Sequence, residues 1–227
     1  MAKPRTAKGR ARLTVERLAE VYPGTAAELC ALDFKDPFQL LAATILSAQS
    51  TDVRVNIVTP ALFAAYPDAA SLAAANPEDV EEIVRSTGFY RAKTKSLIGM
   101  AAAVSERFGG EVPTALEDLV TIPGVGRKTG NVVRSVAFGL PGLPVDTHVL
   151  RVSGRLELTE ALPAAARRDA DKVERELNAL IPAGERGSFS LRVILHGRST
   201  CVARKPRCGA CPLADYCPSV QYSARAG

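Results

Sequence analysis

Lys128 stands beside Arg127 directly after the turn Ile122-Pro123-Gly124-Val125-Gly126, and Asp146 lies 18 positions further along the chain. Glycine at 124 and 126 opens backbone angles closed to other residues, so successive amides from Gly124 through Val125 and Gly126 toward Thr129 can point at an anion such as a phosphate. Lys128 falls where a helix begins. The positive end of that helix and the neighbouring Arg127 both disfavour a protonated amine, which makes a lysine of reference pKa about 10.4 a nucleophile near neutrality. Asp146 supplies the carboxylate that such chemistry needs. Each feature also has a plainer reading. Gly-x-Gly turns join helices in many folds, Lys128 could be a solvated phosphate contact, and Asp146 could serve only to cap the helical run that follows it.

Cys201, Cys208, Cys211 and Cys217 fall within 17 residues, while Cys30 stands alone in an apolar setting. Such clustering indicates a metal rather than disulfides. The spacing supplies four thiolates, and these suit tetrahedral zinc and a 4Fe-4S cluster equally well. Arg204, Lys205 and Arg207 lie between the first two cysteines, so a loop closed on a metal would hold cations out toward phosphate. Cys30 reads as a small buried hydrophobe. His148 and His196 read as hydrogen-bonded interior residues, and neither is assigned to chemistry.

These residues need a scaffold, and the apolar pattern says which kind. Leu13, Leu18 and Val21, then Phe38, Leu41, Ile45 and Leu46, recur at helical spacing, and no stretch alternates as a strand would. The expected fold class is all-α. Asp36-Pro37 and Asn76-Pro77 read as helix starts, Thr114 to Glu117 as a capping box, and Gly88, Gly109-Gly110 and Gly139 as stops. Val132, Val133, Val136 and Ala137 form one apolar side after the glycine turn, and Val173, Leu177, Leu180 and Ile181 another. The Ala-rich stretches 61–75 and 161–170 read as ordinary helix composition. Gly139-Leu140-Pro141-Gly142-Leu143-Pro144 marks the sharpest break, expected to be a boundary or cleft between two helical bodies carrying Lys128 and Asp146.

The 227 residues, 47% of them hydrophobic, suffice for a buried core. The net charge of +5 is concentrated at the start, where Lys3, Arg5, Lys8, Arg10 and Arg12 have no acid among them. Residues 1–12 are therefore expected to form a basic, mobile arm before a nearly neutral body. Arginines and lysines cluster around the motifs, which favours a polyanionic partner. No run of 18 apolar residues and no secretory core appear, so an intracellular protein with no membrane partner is expected.

The turn with its following Arg127-Lys128-Thr129 resembles the helix-hairpin-helix element of DNA repair glycosylases, which grips the DNA backbone rather than the base sequence. Together with Val145-Asp146-Thr147-His148, Leu195-His196-Gly197-Arg198 and the cysteine spacing, it makes nearly the whole chain after the arm resemble the bacterial endonuclease III family. The resemblance implies a six-helix barrel domain over 30–140, with the helix-hairpin-helix at 114–139, and an iron–sulfur domain from 13–29 plus 141–227. It implies one 4Fe-4S cluster on the four cysteines. It implies a bifunctional enzyme that releases oxidised pyrimidines and nicks the abasic strand by β-elimination. Lys128 would be the nucleophile, and Asp146 would assist its activation and stabilise the sugar cation. Gln49 would enter the gap opposite a flipped base and Phe89 would part the bases, although ordinary core packing is the plainer reading of Phe89.

The family commonly has leucine at the Phe89 position, so the wedge here is a flat ring. Gly130 replaces a usual alanine at a cost of about 1 kcal/mol, which predicts a more mobile catalytic helix. The implied partner is duplex DNA with damaged pyrimidines or abasic sites, met by a monomer at the nucleoid of a bacterial cytoplasm. Two alternatives stay open: a monofunctional adenine glycosylase of the MutY type, and a non-catalytic DNA-binding module with a structural metal. Lys128 argues against the first, as does the expectation that the ten residues after Cys217 leave no room for its extra C-terminal domain.

Overall fold

The computed structural model describes residues 4–160 and 169–220. Lys3 of the expected arm and most of the Ala-rich stretch 161–170 lie outside the described residues. No strand occurs among the described residues, and the chain is all-α. It divides into two compact units, one of residues 1–29 with 141–227 and one of residues 30–140.

In the first unit, α1 spans Ala7–Val21 and α2 Ala26–Leu29. The chain returns to this unit as α10 (Thr147–Arg155), α11 (Ala170–Leu180) and α12 (Arg186–Ser199), numbered with the seven helices of the other unit in between. Leu18, Val149, Val152, Val173, Leu177, Phe189 and Val193 fill its core, with Leu213 and Tyr216 from the cysteine segment. Residues 7–12 are helix, which corrects the expectation of a mobile arm. Thr6 caps α1 by accepting from the Gly9 amide at 3.1 Å. Arg10 is buried and donates to the Leu156 carbonyl at 2.7 Å and the Glu157 carbonyl at 2.8 Å. Further along α1, Thr14 hydrogen-bonds Tyr216 at 2.9 Å, and Arg17 grips both carboxylate oxygens of Asp215. Charge counting misread Arg10, because a structural cation and a solvent-facing one look alike in a sequence.

The second unit contains α3 (Pro37–Ser47), α4 (Asp52–Ala65), α5 (Ala69–Ala73), α6 (Pro77–Val84), α7 (Tyr90–Phe108), α8 (Leu116–Leu119) and α9 (Arg127–Val136). A 3₁₀ turn, Arg85–Thr87, precedes α7. Asp36 accepts from the Gln39 amide at 2.8 Å and Asn76 from the Glu78 amide at 3.1 Å, each ahead of a proline in the first turn. The expected capping box at Thr114 does not form. Ala115 occupies the cap of α8 without a side-chain bond, and the Thr114 carbonyl accepts from the Arg134 guanidinium instead. Phe38, Leu40, Leu41, Ala42, Ala43, Ile45 and Leu46 make α3 apolar on nearly every side, as a central helix must be. It packs on α4, α7 and α9.

The turn between α8 and α9 rests directly on this core. Gly124 has φ +78°, and a Cβ there would stand 2.8 Å from Ser96 Cβ of α7 and 3.6 Å from Ile45 Cδ1 of α3. At Gly99 on α7, a Cβ would meet Pro123 at 3.2 Å. At Gly130 a Cβ would lie 2.7 Å from Leu116 Cδ1 and 3.5 Å from Leu119 Cβ. Gly130 is therefore the point of close approach of α8 to α9, where the sequence suggested only a loosened helix.

Two stability predictions follow from this packing. Arg10→Ala should lower the unfolding free energy by about 2 kcal/mol, by leaving buried carbonyls unpaired, whereas exposed Arg12→Ala should change it by about 0.5 kcal/mol or less. Gly124→Ala should cost about 2 kcal/mol through left-handed strain and overpacking. Nothing lies within 4 Å of a Cβ at Gly126, so Gly126→Ala should cost about 1 kcal/mol at most. Denaturant titration of the four variants checks both, and equal effects within either pair would contradict the account.

Candidate active site and metal centre

The hairpin delivers Lys128 to the second position of α9, exposed, with no hydrogen-bond or ion-pair partner for its amine among the described residues. Gly126 is the N-cap of α9 and has no side chain to offer, so the first-turn amides receive no side-chain cap. Arg127 and Thr129 flank Lys128 in the same turn, and the first helical bond runs from the Gly130 amide to the Gly126 carbonyl at 2.9 Å. An uncapped helix start is a ready anion site. Val125 departs from this pattern: its side chain is buried, and its amide donates within the turn to the Ile122 carbonyl at 3.0 Å.

Gln49 and Phe89 project from the same unit. Gln49 lies just after α3 and Phe89 just before α7, the two helices on which the hairpin turn rests. Both adopt left-handed backbone angles, φ +54° and +49°, at a cost of about 1 kcal/mol each. Phe89 is 68% exposed, which removes the core reading of its ring. An apolar ring held outward at the cost of strain is available to a partner. Sequence spacing carried no sign of this strain, since neither residue is a glycine.

In the other unit, Asp146 is half-buried at the N-cap of α10. Its Oδ1 accepts from the amides of His148 at 2.7 Å and Val149 at 2.9 Å. Oδ2 has no partner among the described residues, so capping leaves one carboxylate oxygen for other work. α10 lies hard against α12 at Gly197, where a Cβ would meet His148 Cβ at 2.9 Å. Burial holds the His148 imidazole below its ordinary pKa, which keeps it neutral near pH 7.

Cys201, Cys208, Cys211 and Cys217 wall one cavity, closed by Arg155, Pro206, Ala214 and Val220. None of the described cysteines is in a disulfide. Four thiols on one cavity fit a thiolate-held metal centre, either tetrahedral zinc or a cluster. Burial pushes the Cys211 thiol up to about 11 and raises that of Cys217, so thiolates here need a compensating positive centre. Sequence reasoning missed two side chains at this site. Arg155 places its guanidinium 3.2 Å from the Cys201 sulfur and donates to the Val202 carbonyl at 2.8 Å. Buried His196 sets Nε2 3.5 Å from the Cys211 sulfur, and burial lowers its pKa to about 4, so it meets that sulfur as a neutral ring. Arg204, Lys205 and Arg207 are exposed on the loop between the first two cysteines. Cys30, alone in the other unit, has its thiol pushed up by burial, which disfavours the thiolate.

No helix among the described residues is long and apolar enough to cross a membrane. Residues 42–183 match the model of the HhH-GPD superfamily base excision DNA repair protein, and residues 201–217 match the iron–sulfur binding domain of endonuclease III. Endonuclease III of Synechocystis sp. is 52% identical over 207 residues, covering 91% of this chain and 90% of that protein. Endonuclease III of Escherichia coli K12 is 40% identical over 201 residues, covering 88% and 91%. A solved trapped endonuclease III–DNA covalent intermediate is 39% identical, with TM-score 0.84 over 93% of this chain and 96% of that one. A thermostable thymine-DNA glycosylase at 22% identity and TM-score 0.80 shares the fold. With its hairpin, its four-cysteine cavity and these likenesses, the chain belongs to the endonuclease III family of base excision repair enzymes, DNA glycosylases and abasic-site lyases that carry a 4Fe-4S cluster.

Proposed function

We propose that the protein excises oxidised pyrimidines from duplex DNA and then cuts the abasic strand, with Lys128 as nucleophile. The observation that carries this reading is an amine with no partner among the described residues, exposed on the uncapped first turn of α9. The lone pair of Nζ attacks C1′ of the deoxyribose, and the C1′–N bond breaks with its electrons going to the departing base, which takes up a proton. Nζ then loses one proton and its lone pair opens the ring: the C1′–O4′ bond breaks with its electrons going to O4′, which takes up a proton, and a protonated Schiff base results. Removal of a C2′ proton then expels the 3′ phosphate. Asp146 is the carboxylate of the reaction: its Oδ2 opposes positive charge developing on the sugar and assists deprotonation of the amine.

The amides around Gly124, Gly126 and Thr129, with Arg127, hold backbone phosphate at the helix start. The Val125 amide is already donated within the turn, so Val125 contributes through packing that shapes the turn. Phe89 parts the stacked bases and Gln49 fills the vacancy left by the flipped nucleotide. The exposed Arg204, Lys205 and Arg207 add phosphate contacts from the cysteine loop. Cys201, Cys208, Cys211 and Cys217 hold the cluster, which supplies cross-linking of that loop. We place the protein in the cytoplasm as a monomer acting on chromosomal DNA. The similar enzyme solved as a trapped DNA covalent intermediate supports covalent capture as the reaction route.

Borohydride added to the protein with abasic-site DNA should yield a stable conjugate. Lys128→Ala and Lys128→Gln should abolish it while DNA affinity falls less than about tenfold, since one phosphate-range cation is lost of several. Trapping by either variant at the wild-type level would remove Lys128 from the mechanism. The purified protein should be brown with about four irons per chain, and Cys208→Ala should lose both colour and iron. Colourless wild-type protein with one zinc would overturn the metal assignment.

A further inference from the structure

Lys93 is 5% exposed, yet it faces no carboxylate within ion-pair distance among the described residues. Its Nζ donates to the Thr87 carbonyl at 2.8 Å, and no other side-chain partner is present among the described residues. Desolvation lowers its pKa, with no nearby charge to oppose that effect. An interior ammonium without a counter-ion is unfavourable, and an apolar side chain of similar length would bury more readily. What the ammonium gains in return is its hydrogen bond to the Thr87 carbonyl.

The place of its hydrogen bonds indicates what they support. Thr87 ends the 3₁₀ turn and is itself buried, so its carbonyl has no access to bulk water. Gly88 and Phe89 follow, with φ +73° and +49°, before α7 begins at Tyr90. The Lys93 backbone amide donates to the Phe89 carbonyl at 3.1 Å. One residue thus grips both flanks of the two-residue turn that lifts the Phe89 ring into solvent: the ammonium holds the near side and the amide the far side. Without the ammonium, the Thr87 carbonyl would lose its partner and the left-handed Phe89 would be free to relax toward ordinary backbone angles.

We propose that Lys93 is a positioning residue for base extrusion, a strut that holds Phe89 upright against the DNA stack. The inference rests on the reading of Phe89 as the wedge. A merely structural lysine would, on removal, weaken every activity alike. A wedge strut matters only where bases must be parted, that is on duplex and not on single-stranded substrate.

The test compares wild type, Lys93→Met, Phe89→Ala and the double variant in two assays. The first is single-turnover base release from a duplex containing an oxidised pyrimidine, and the second is borohydride trapping on single-stranded abasic DNA. Lys93→Met and Phe89→Ala should each slow duplex release more than tenfold. The double variant should be no slower than Phe89→Ala alone, because both act through one element. Single-strand trapping by Lys93→Met and Lys93→Gln should stay within twofold of wild type. Lys93→Gln, which keeps a donor on a shorter reach, should fall between wild type and Lys93→Met. Wild-type duplex rates in Lys93→Met, multiplicative slowing in the double variant, or parallel loss of single-strand trapping in both Lys93→Met and Lys93→Gln would overturn the strut. If Phe89→Ala alone matches wild type, the wedge reading fails instead.

Discussion

Position 124 admits no side chain, and the reactive end of the hairpin depends on that restriction. The turn must reverse direction with φ +78° while lying against Ser96 and Ile45, so only glycine satisfies both the angle and the contact. Because Pro123 packs at Gly99 on α7 and Gly130 lets α8 reach α9, the turn is fixed from three directions. α9 therefore starts in one orientation, and Lys128 is presented by a rigid scaffold rather than by a loop. An uncapped first turn is usually a small loss of stability. Here the missing cap leaves amides available to phosphate, the kind of local cost that functional sites retain.

The other unit uses one helix for two purposes. Asp146 caps the start of α10, and Arg155 at its end reaches the Cys201 sulfur and the Val202 carbonyl. Gly197 seats α10 on α12, and α12 ends two residues before Cys201. α1 secures the segment from the opposite side of the sequence, through Thr14 to Tyr216 and Arg17 to Asp215. A cluster held by the four cysteines, as proposed above, would close a segment already tied to the helix that carries Asp146, so its binding would be coupled to the placement of that carboxylate.

Much of this was legible in the chain itself. Helical period, the Asp36 and Asn76 caps before prolines, the glycine stops and the four-cysteine cluster all act locally, so spacing reveals them. What the sequence hid was set by distant partners. Arg10 looked like part of a basic tail because its acceptors, Leu156 and Glu157, lie some 146 positions away. Thr114 fitted a capping box, but Arg134 takes its carbonyl from across the hairpin. Gly130 looked like a weak helix position until the approach of Leu116 gave it a reason. The strain at Gln49 and Phe89 and the buried charge of Lys93 are likewise invisible to composition, since each exists only once tertiary packing has imposed an unfavourable state.

The central claim is that one amine forms the covalent bond, and locating the bond tests it most directly. Borohydride-reduced conjugate, digested with protease and nuclease and mapped by mass spectrometry, should carry the sugar remnant on the peptide containing Lys128 alone. A remnant on the N-terminal amine, on Lys95 or on any other lysine would contradict the account.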